Sequence, residues 1–363
     1  MKRVAVIGAN GQVGAEICLL LASRPGIELV PVCRTRSGSA FLRWKGIAVR
    51  HGRIADPDDA ARLIGDCDAV VNSALATGTP SQIRDTEDSI IRSVFEKSRP
   101  GAIVIHFSTQ SVYGDPRPGL PVRWRNPYGR VKLATERRVR ADSRKRRKPA
   151  FILRLGHVCG LLQEISESIR RDIRTSSVVL PSQDCSSNTV HTAAIVGAIE
   201  QILDGEASPG TYDLMNHPRW TWRNVYEFEA AALGRQLEAL VGSVPSRISG
   251  FSAVIAAGLG LAARIASAPG LRSAAAKGFA YVPQALNDRA MAWWYRRRAG
   301  SEIAALDDSR NAPEHLSWVE NGGVFFPARR PTRELIDEYG NGFLSGQSAS
   351  AWPDDLSPAG PRD

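Results

Sequence analysis

The chain has 363 residues, 43% of them hydrophobic and 23% charged, a globular balance with room for one large α/β domain and an appended lobe, or for two domains. Its formal net charge of +10 favours anionic partners: a phosphate-bearing cofactor, a nucleotide-linked substrate, nucleic acid or a membrane surface. The five cysteines, Cys18, Cys33, Cys67, Cys159 and Cys185, form no C-x-x-C pair and have no cluster of histidines beside them, which argues against a metal site and for a reduced, cytoplasmic setting.

Met1-Lys2-Arg3 leads straight into a predicted strand, Arg3 to Ile7; its apolar run is broken by Gly8, Asn10 and Gly11, so a secretory leader is not expected. A helix follows from Gln12 to Ser23, with Val13, Ile17, Leu20 and Leu21 on one side. Strands are expected at Glu28 to Cys33, Ile47 to His51 and Ala69 to Asn72. Asp56-Pro57-Asp58 marks a helix start between the last two. A helix over Ser81 to Lys97, a strand over Ala102 to Phe107, a helix after Asn126-Pro127 and a strand over Phe151 to Leu155 complete the alternation. This is the pattern of βαβ units on a parallel sheet. Further on, a helix is expected from Thr192 to Leu203, a strand from Gly210 to Leu214 and a helix from Trp222 to Leu233. The expected organisation is a dinucleotide-binding domain over 1–160 and a substrate lobe over 161–341, some of whose segments return to the main domain. A disordered tail rich in Ser, Pro, Gly and Asp covers 342–363.

Gly8-Ala9-Asn10-Gly11-Gln12-Val13-Gly14 follows the first strand and opens the first helix. In this G-x-x-G-x-x-G spacing the first glycine permits the tight turn, the second admits the backbone to a pyrophosphate, and the third lets helix pack on strand. The helix N-terminus then offers N–H groups and a positive dipole end to phosphates. An acidic residue at the end of the second strand would bind ribose hydroxyls and favour NAD. Cys33-Arg34-Thr35-Arg36 stands there instead, and two guanidiniums suit a 2′-phosphate, which points to NADP over NAD.

Tyr128 and Lys132 form Y-x-x-x-K, the only tyrosine of seven with lysine at that spacing. Four residues apart on a helix they share a face, and the ammonium lowers the phenol pKa toward working pH. Tyr128 thereby becomes a proton donor or acceptor for an alcohol/carbonyl pair. A hydroxyl is needed to hold the substrate oxygen, and Ser108 and Thr109, at the carboxyl end of the fifth strand, are both candidates.

With these motifs in place the chain resembles an extended short-chain dehydrogenase/reductase of the NAD-dependent epimerase/dehydratase family. The resemblance is carried by Gly8-x-x-Gly11-x-x-Gly14, Ser108-Thr109-Gln110-Ser111-Val112-Tyr113-Gly114, Pro127-Tyr128-x-x-x-Lys132-x-x-x-Glu136 and Leu153-Arg154-Leu155-Gly156-His157-Val158-Cys159-Gly160. It implies a doubly wound parallel sheet of the Rossmann type with a smaller, mostly helical C-terminal substrate lobe. It also implies that Thr109, Tyr128 and Lys132 carry the chemistry, with the nicotinamide between Thr109, Tyr128 and the Ala74-Leu75 turn. The cofactor set is then Gly8, Asn10, Gly11, Gln12, Val13, Gly14, Arg34, Arg36, Ala74, Leu75, Tyr128 and Lys132, and no metal. Sugar dehydratases of the family carry Asp-Glu after the threonine; Gln110-Ser111 here disfavours dehydration. Arg53 stands where an acid often touches adenine, and Val190-His191-Thr192-Ala193-Ala194 lacks the two acids usual in that stretch.

The resemblance and the basic charge together imply hydride transfer at a hydroxyl or keto carbon of a nucleotide-linked sugar, by a reductase or an epimerase. A homodimer is compatible with this reading. Two alternatives remain open. Phe251 to Ala263 is apolar but shorter than a membrane span, and with Trp293-Trp294-Tyr295-Arg296-Arg297-Arg298 it admits peripheral membrane contact and a lipid or sterol-like alcohol as substrate. The other alternative is a non-catalytic NADP(H)-binding module. The cationic run Arg137 to Lys148 reads as a solvated helix end rather than a nucleic-acid surface. His157 and His191 read as structural histidines.

Overall fold

The computed structural model describes residues 1–77, 80–113, 127–175, 178–180, 186–241 and 323–344. Seven strands form one sheet: β1 (Lys2–Ile7), β2 (Ile27–Cys33), β3 (Arg50–His51), β4 (Ala69–Asn72), β5 (Ile103–Thr109), β6 (Ala150–Leu155) and, later in the chain, β10 (Gly210–Leu214). Their spatial order is β10-β6-β5-β4-β1-β2-β3, and each pairing is parallel. The connecting helices are α1 (Gln12–Ala22), α2 (Ala40–Trp44), α3 (Pro57–Ile64), α4 (Pro80–Lys97) and α5 (Pro127–Arg146). Between β6 and β10 come β7 (His157–Cys159), α6 (Glu164–Thr175), β8 (Val178–Leu180), β9 (Thr189–His191) and α7 (Thr192–Leu203). After β10 follow α8 (Trp222–Ala232), β11 (Ala239–Val241) and α9 (Thr332–Leu344).

Residue alternation along the strands explains the three layers. Val4, Val6, Val71, Ile105 and Leu153 point to one face, where Ile17 and Leu21 of α1, Ile195 and Ile199 of α7, and Leu335 and Tyr339 of α9 cover them. Ala5, Ile7, Val70, Val104 and Ile152 point to the other, under Leu63 of α3, Ile91 and Phe95 of α4, and Val139 of α5. Strands buried on both faces read as continuous apolar runs, as these do. The sheet is thus doubly wound, as the alternation implies.

Two boundaries differ from the sequence reading by more than one residue. The third strand is only Arg50–His51, because Ile47 N–H turns back to Leu42 O (3.0 Å) and closes the end of α2. The fifth strand runs on to Thr109, because β6 offers Arg154 and Leu155 as partners for Ser108 and Thr109. The helix start at Asp56 is as expected: its carboxylate accepts from Asp58 N–H and Asp59 N–H, with Pro57 in the first turn.

The described residues fall into two compact units. The first holds 1–166, 188–220 and 323–344, and so includes the seven-stranded sheet and the parallel pair β7–β9. The second takes in the remaining described residues up to 241, with the parallel pair β8–β11. There α8 opens on a reciprocal cap between Thr221 and Asn224, and Arg170 Nε donates to Glu229 Oε2 at 2.6 Å. Residues 251–298, on which the membrane reading rests, the tail from 345 and Cys185 lie outside the described residues. Among those described, no helix is long and apolar enough to cross a membrane.

Candidate active site

The chain leaves β1 toward β2 and β3 on one side and returns to β4 on the other, so the direction of winding reverses between β1 and β4. Ligands of such sheets bind outside the carboxyl ends of the strands at that reversal. Register brings four strand ends to one rim: Val32, Ile7, Asn72 and His106 are successive partners across β2, β1, β4 and β5.

The glycine loop opens at this rim. Gly8 has φ +78°, and a Cβ on it would sit 2.8 Å from both N and Cα of Ala74, the loop residue after β4. A Cβ on Gly14 would run into Gly8 O and Ser73 Oγ. Both are therefore glycine for reasons internal to the fold. Gly11 is different: its φ is ordinary, −77°, and a Cβ there would meet Gly8 O at a relaxed 3.4 Å. What a side chain at Gly11 would fill is the space over the N-terminus of α1. That terminus has no side-chain cap and no acid in its first turn. A bare helix start kept free of Cβ atoms fits the pyrophosphate of a dinucleotide. Gln12 and Val13 provide the first helical positions, and Asn10 is exposed on the loop beside Gly38.

Arg34 and Arg36 follow β2 at the same rim. Both are exposed, and neither side chain makes an ion pair or hydrogen bond among the described residues. Arg53, likewise exposed, has its backbone N–H bound to Asp59 Oδ2 (2.8 Å).

Ser108 and Thr109 separate by strand alternation. Ser108 is buried and donates to Glu136 Oε1 at 2.7 Å, so it belongs to the scaffold. Thr109 is half-buried; its Oγ1 accepts Ser111 N–H at 3.2 Å and caps the 3₁₀ turn Gln110–Tyr113, against which α5 packs. Tyr128 lies in the first turn of α5 and is 42% exposed. Lys132, one turn on, is buried, with its Nζ 3.6 Å from Glu87 Oε2 on α4. Leu75 is exposed beside the buried strand end Asn72, whose Oδ1 accepts Ala74 N–H (3.2 Å).

Sequence reasoning missed three polar groups beneath this rim: Asn72, Glu87 and His106. Asn72 Nδ2 donates to His106 Nδ1 at 3.2 Å, and burial, with the charge of Lys132, holds the imidazole well below its ordinary pKa and neutral. The signal for Glu87 was present: an acid on the apolar stripe of α4 that carries Ile83, Ile90, Ile91 and Val94.

A second buried network joins the remaining motif residues. Arg154 donates to both oxygens of Glu136 (2.9 and 2.8 Å) and to Tyr113 OH (2.7 Å), while Tyr113 donates to Asp213 Oδ2 (2.6 Å). Burial alone would raise the Glu136 carboxyl, but the bonds and charge of Arg154, with Ser108 and Arg140, bring it below the usual range. Burial wins at Asp213, against Tyr113 and Arg154, and pushes it up to about 6. On the opposite layer Glu16 of α1 accepts Leu161 N–H (2.8 Å), Leu162 N–H (3.0 Å), Gln163 Nε2 (2.7 Å) and Thr192 Oγ1 (2.7 Å). His191 caps α7 by accepting Ala193 N–H on Nδ1 (3.1 Å), as a structural histidine does. Much of the cationic run is spent internally: Arg138 on Asp142, Arg140 on Glu136, Arg146 on Glu96 and Lys148 on Ser98. Cys33 and Cys67 are buried thiols pushed up to about 11 and about 12 by burial, and Cys18 is raised by the same cause.

Set beside known proteins, residues 4–179 match the model of the NAD dependent epimerase/dehydratase family. That stretch spans the glycine loop, Thr109, Tyr128 and Lys132. The chain is similar to a dTDP-4-dehydrorhamnose reductase of Mycolicibacterium smegmatis, 27% identical over 239 residues, which span 59% of this chain and 64% of that relative. Among solved structures it is similar to a UDP-N-acetylglucosamine 4-epimerase from Bacillus cereus, with a TM-score of 0.52, 20% identity, and coverage of 67% of this chain and 85% of that one. A UDP-glucuronic acid 4-epimerase from Bacillus cereus in complex with NAD scores 0.49 at 16% identity, over 66% of this chain and 85% of that one. The structural likeness bears on the fold: a Rossmann sheet of the kind found in epimerases.

Proposed function

We propose that this protein is an NADP(H)-dependent reductase of the keto carbon of a nucleotide-linked sugar. The observation that carries the reading is the rim itself. The glycine loop, the Arg34–Arg36 loop, the Ala74-Leu75 turn and Thr109 all leave strand ends on one side of the sheet, with Lys132 of α5 close by. A bound nicotinamide would supply hydride, and the rest of the chemistry belongs to the side chains. Tyr128 donates the proton to the substrate oxygen, Thr109 orients that oxygen, and Lys132 holds the ribose and favours the ionised phenol left behind. Gly8, Asn10, Gly11, Gln12, Val13 and Gly14 would seat the pyrophosphate, and Ala74 and Leu75 would border the nicotinamide. The exposed Arg34 and Arg36, with no acid at the end of β2, support NADP over NAD. The similarity to a reductase named for a nucleotide-linked keto sugar supports reduction; the similarity to an epimerase supports the same substrate class. Gln110-Ser111 offers no acid–base pair for dehydration.

The test is fluorescence titration with NADPH and NADH, followed by a turnover screen of nucleotide-linked keto sugars. NADPH is expected to bind more tightly. Arg34→Ala with Arg36→Ala should cost NADPH about tenfold or more and leave NADH unchanged. Tyr128→Phe should bind cofactor normally and turn over nothing. Tighter NADH binding in the wild type sinks the arginine argument, and an unaltered rate in the Tyr128 variant sinks the acid–base assignment.

A further inference from the structure

α4 lays an apolar stripe against the sheet, and Glu87 lies on that stripe, 1% exposed. A carboxylate so placed must be compensated. Its Oε1 accepts Ala76 N–H at 3.2 Å, which ties down the loop after β4. Its Oε2 accepts no hydrogen bond and stands 3.6 Å from Lys132 Nζ. Lys132 is buried in turn, and the neighbouring imidazole of His106 is neutral, so it neither adds to the ammonium charge nor offsets it. Among the described residues, the carboxylate that meets this ammonium is Glu87.

We propose that Glu87 is the counter-ion that cancels the Lys132 charge, so that the crevice accepts the cationic, oxidised nicotinamide as readily as the neutral, reduced one. The inference rests on the reading above that Lys132 lies beside the nicotinamide ribose. Its physical content is a charge balance. The ring carries one positive charge when oxidised and none when reduced. An uncompensated ammonium at the ribose would repel only the oxidised form. The Glu87–Lys132 pair is neutral as a unit and discriminates little. By holding Ala76, the same carboxylate also keeps the loop that approaches Gly8 in place, a role that bears on both redox forms alike.

The experiment measures the ratio of Kd for NADP⁺ to Kd for NADPH, by calorimetry on the whole chain. Glu87→Gln keeps the size and the acceptor for Ala76 N–H but leaves Lys132 uncompensated, and should raise the ratio about tenfold, as one charge acting on another across a partly buried site does. Lys132→Met leaves the carboxylate alone and should shift the ratio by a similar factor in the opposite direction. This keeps the test open if the first variant does not fold. The double variant should return the ratio to near the wild-type value even where both affinities fall. Variants that weaken both forms equally, with the ratio unmoved, overturn the charge assignment alone. A wild-type protein that binds neither form overturns it together with the cofactor reading.

Discussion

Asp213 lends itself to a quantitative test. Its carboxyl is buried on β10, its Oδ2 accepts Tyr113 OH, and its Oδ1 has no hydrogen-bond partner. Burial lifts its pKa from about 3.9 to about 6 in the folded chain. A carboxyl raised on folding contributes stability below its unfolded pKa and loses it as pH climbs through the folded one. Here the loss builds between about pH 4 and pH 6, and two units of pKa make it about 3 kcal/mol at most above that window. Asp213→Asn removes the titration while keeping an oxygen to accept from Tyr113. Arg154 stays partnered by Glu136. The amide's own donors take over the unbonded Oδ1 position at some cost, so a net gain of about 1–2 kcal/mol is expected at pH 7.5, or roughly 1–3 °C in Tm. The gain should fall to about zero near pH 5, and near pH 4 the variant should be the less stable of the two by about 1 kcal/mol. Urea and thermal unfolding of both proteins at these three pH values measure it. A variant less stable than wild type by the same amount at each pH would refute the reasoning, because the carboxylate would then be contributing through its contacts and not its charge.

Other consequences are as direct. Gly11→Ala should fold with its Tm within about 1 °C of wild type and lose about tenfold or more in dinucleotide affinity, whereas Gly14→Ala should lose stability, since its methyl meets Gly8 O and Ser73 Oγ; thermal melts with and without NADPH separate the two. Glu16→Ala removes one acceptor group from four donors in a buried setting and should cost about 2–4 kcal/mol, with amide exchange quickened first at Leu161 and Leu162.

The sheet was legible because its strands are short apolar runs that alternate with one-sided helices, and because Gly8, Asp56 and Pro57 mark turns with a single mechanical reading. The short pairs β7–β9 and β8–β11 were not legible, since three residues are too few to display a period. α6 was hidden by its charge: Ile165, Ile169 and Ile173 mark its buried side, but the residues between them are almost all polar. At the site, Gly8, Gly14, Thr109 and Lys132 stand on the elements that their spacing implies. The roles of Tyr113, Glu136 and Arg154 were out of reach, because a buried network joining β5, α5, β6 and β10 depends on strand order, which spacing along the chain does not encode. Ser108 and Thr109 could not be told apart until the strand was known to run through both.

The return of the chain to the sheet has a bearing on how its length can change. The described residues of the first unit up to Trp220 are followed, further along the chain, by those from Gly323. The resumed segment lies against β10: Asp213 N–H donates to Val324 O and Phe326 N–H to Asp213 O, at 2.8 and 2.9 Å. Nearby, His217 N–H bonds Thr332 Oγ1 (2.8 Å) and Thr332 N–H bonds His217 O (2.6 Å). These two segments of the first unit are thus stitched side by side. Chain length between two segments held in this way can change at little entropic cost to the sheet that bears them. Insertions and deletions between the two segments are therefore the natural route by which such a chain could diverge while keeping one sheet.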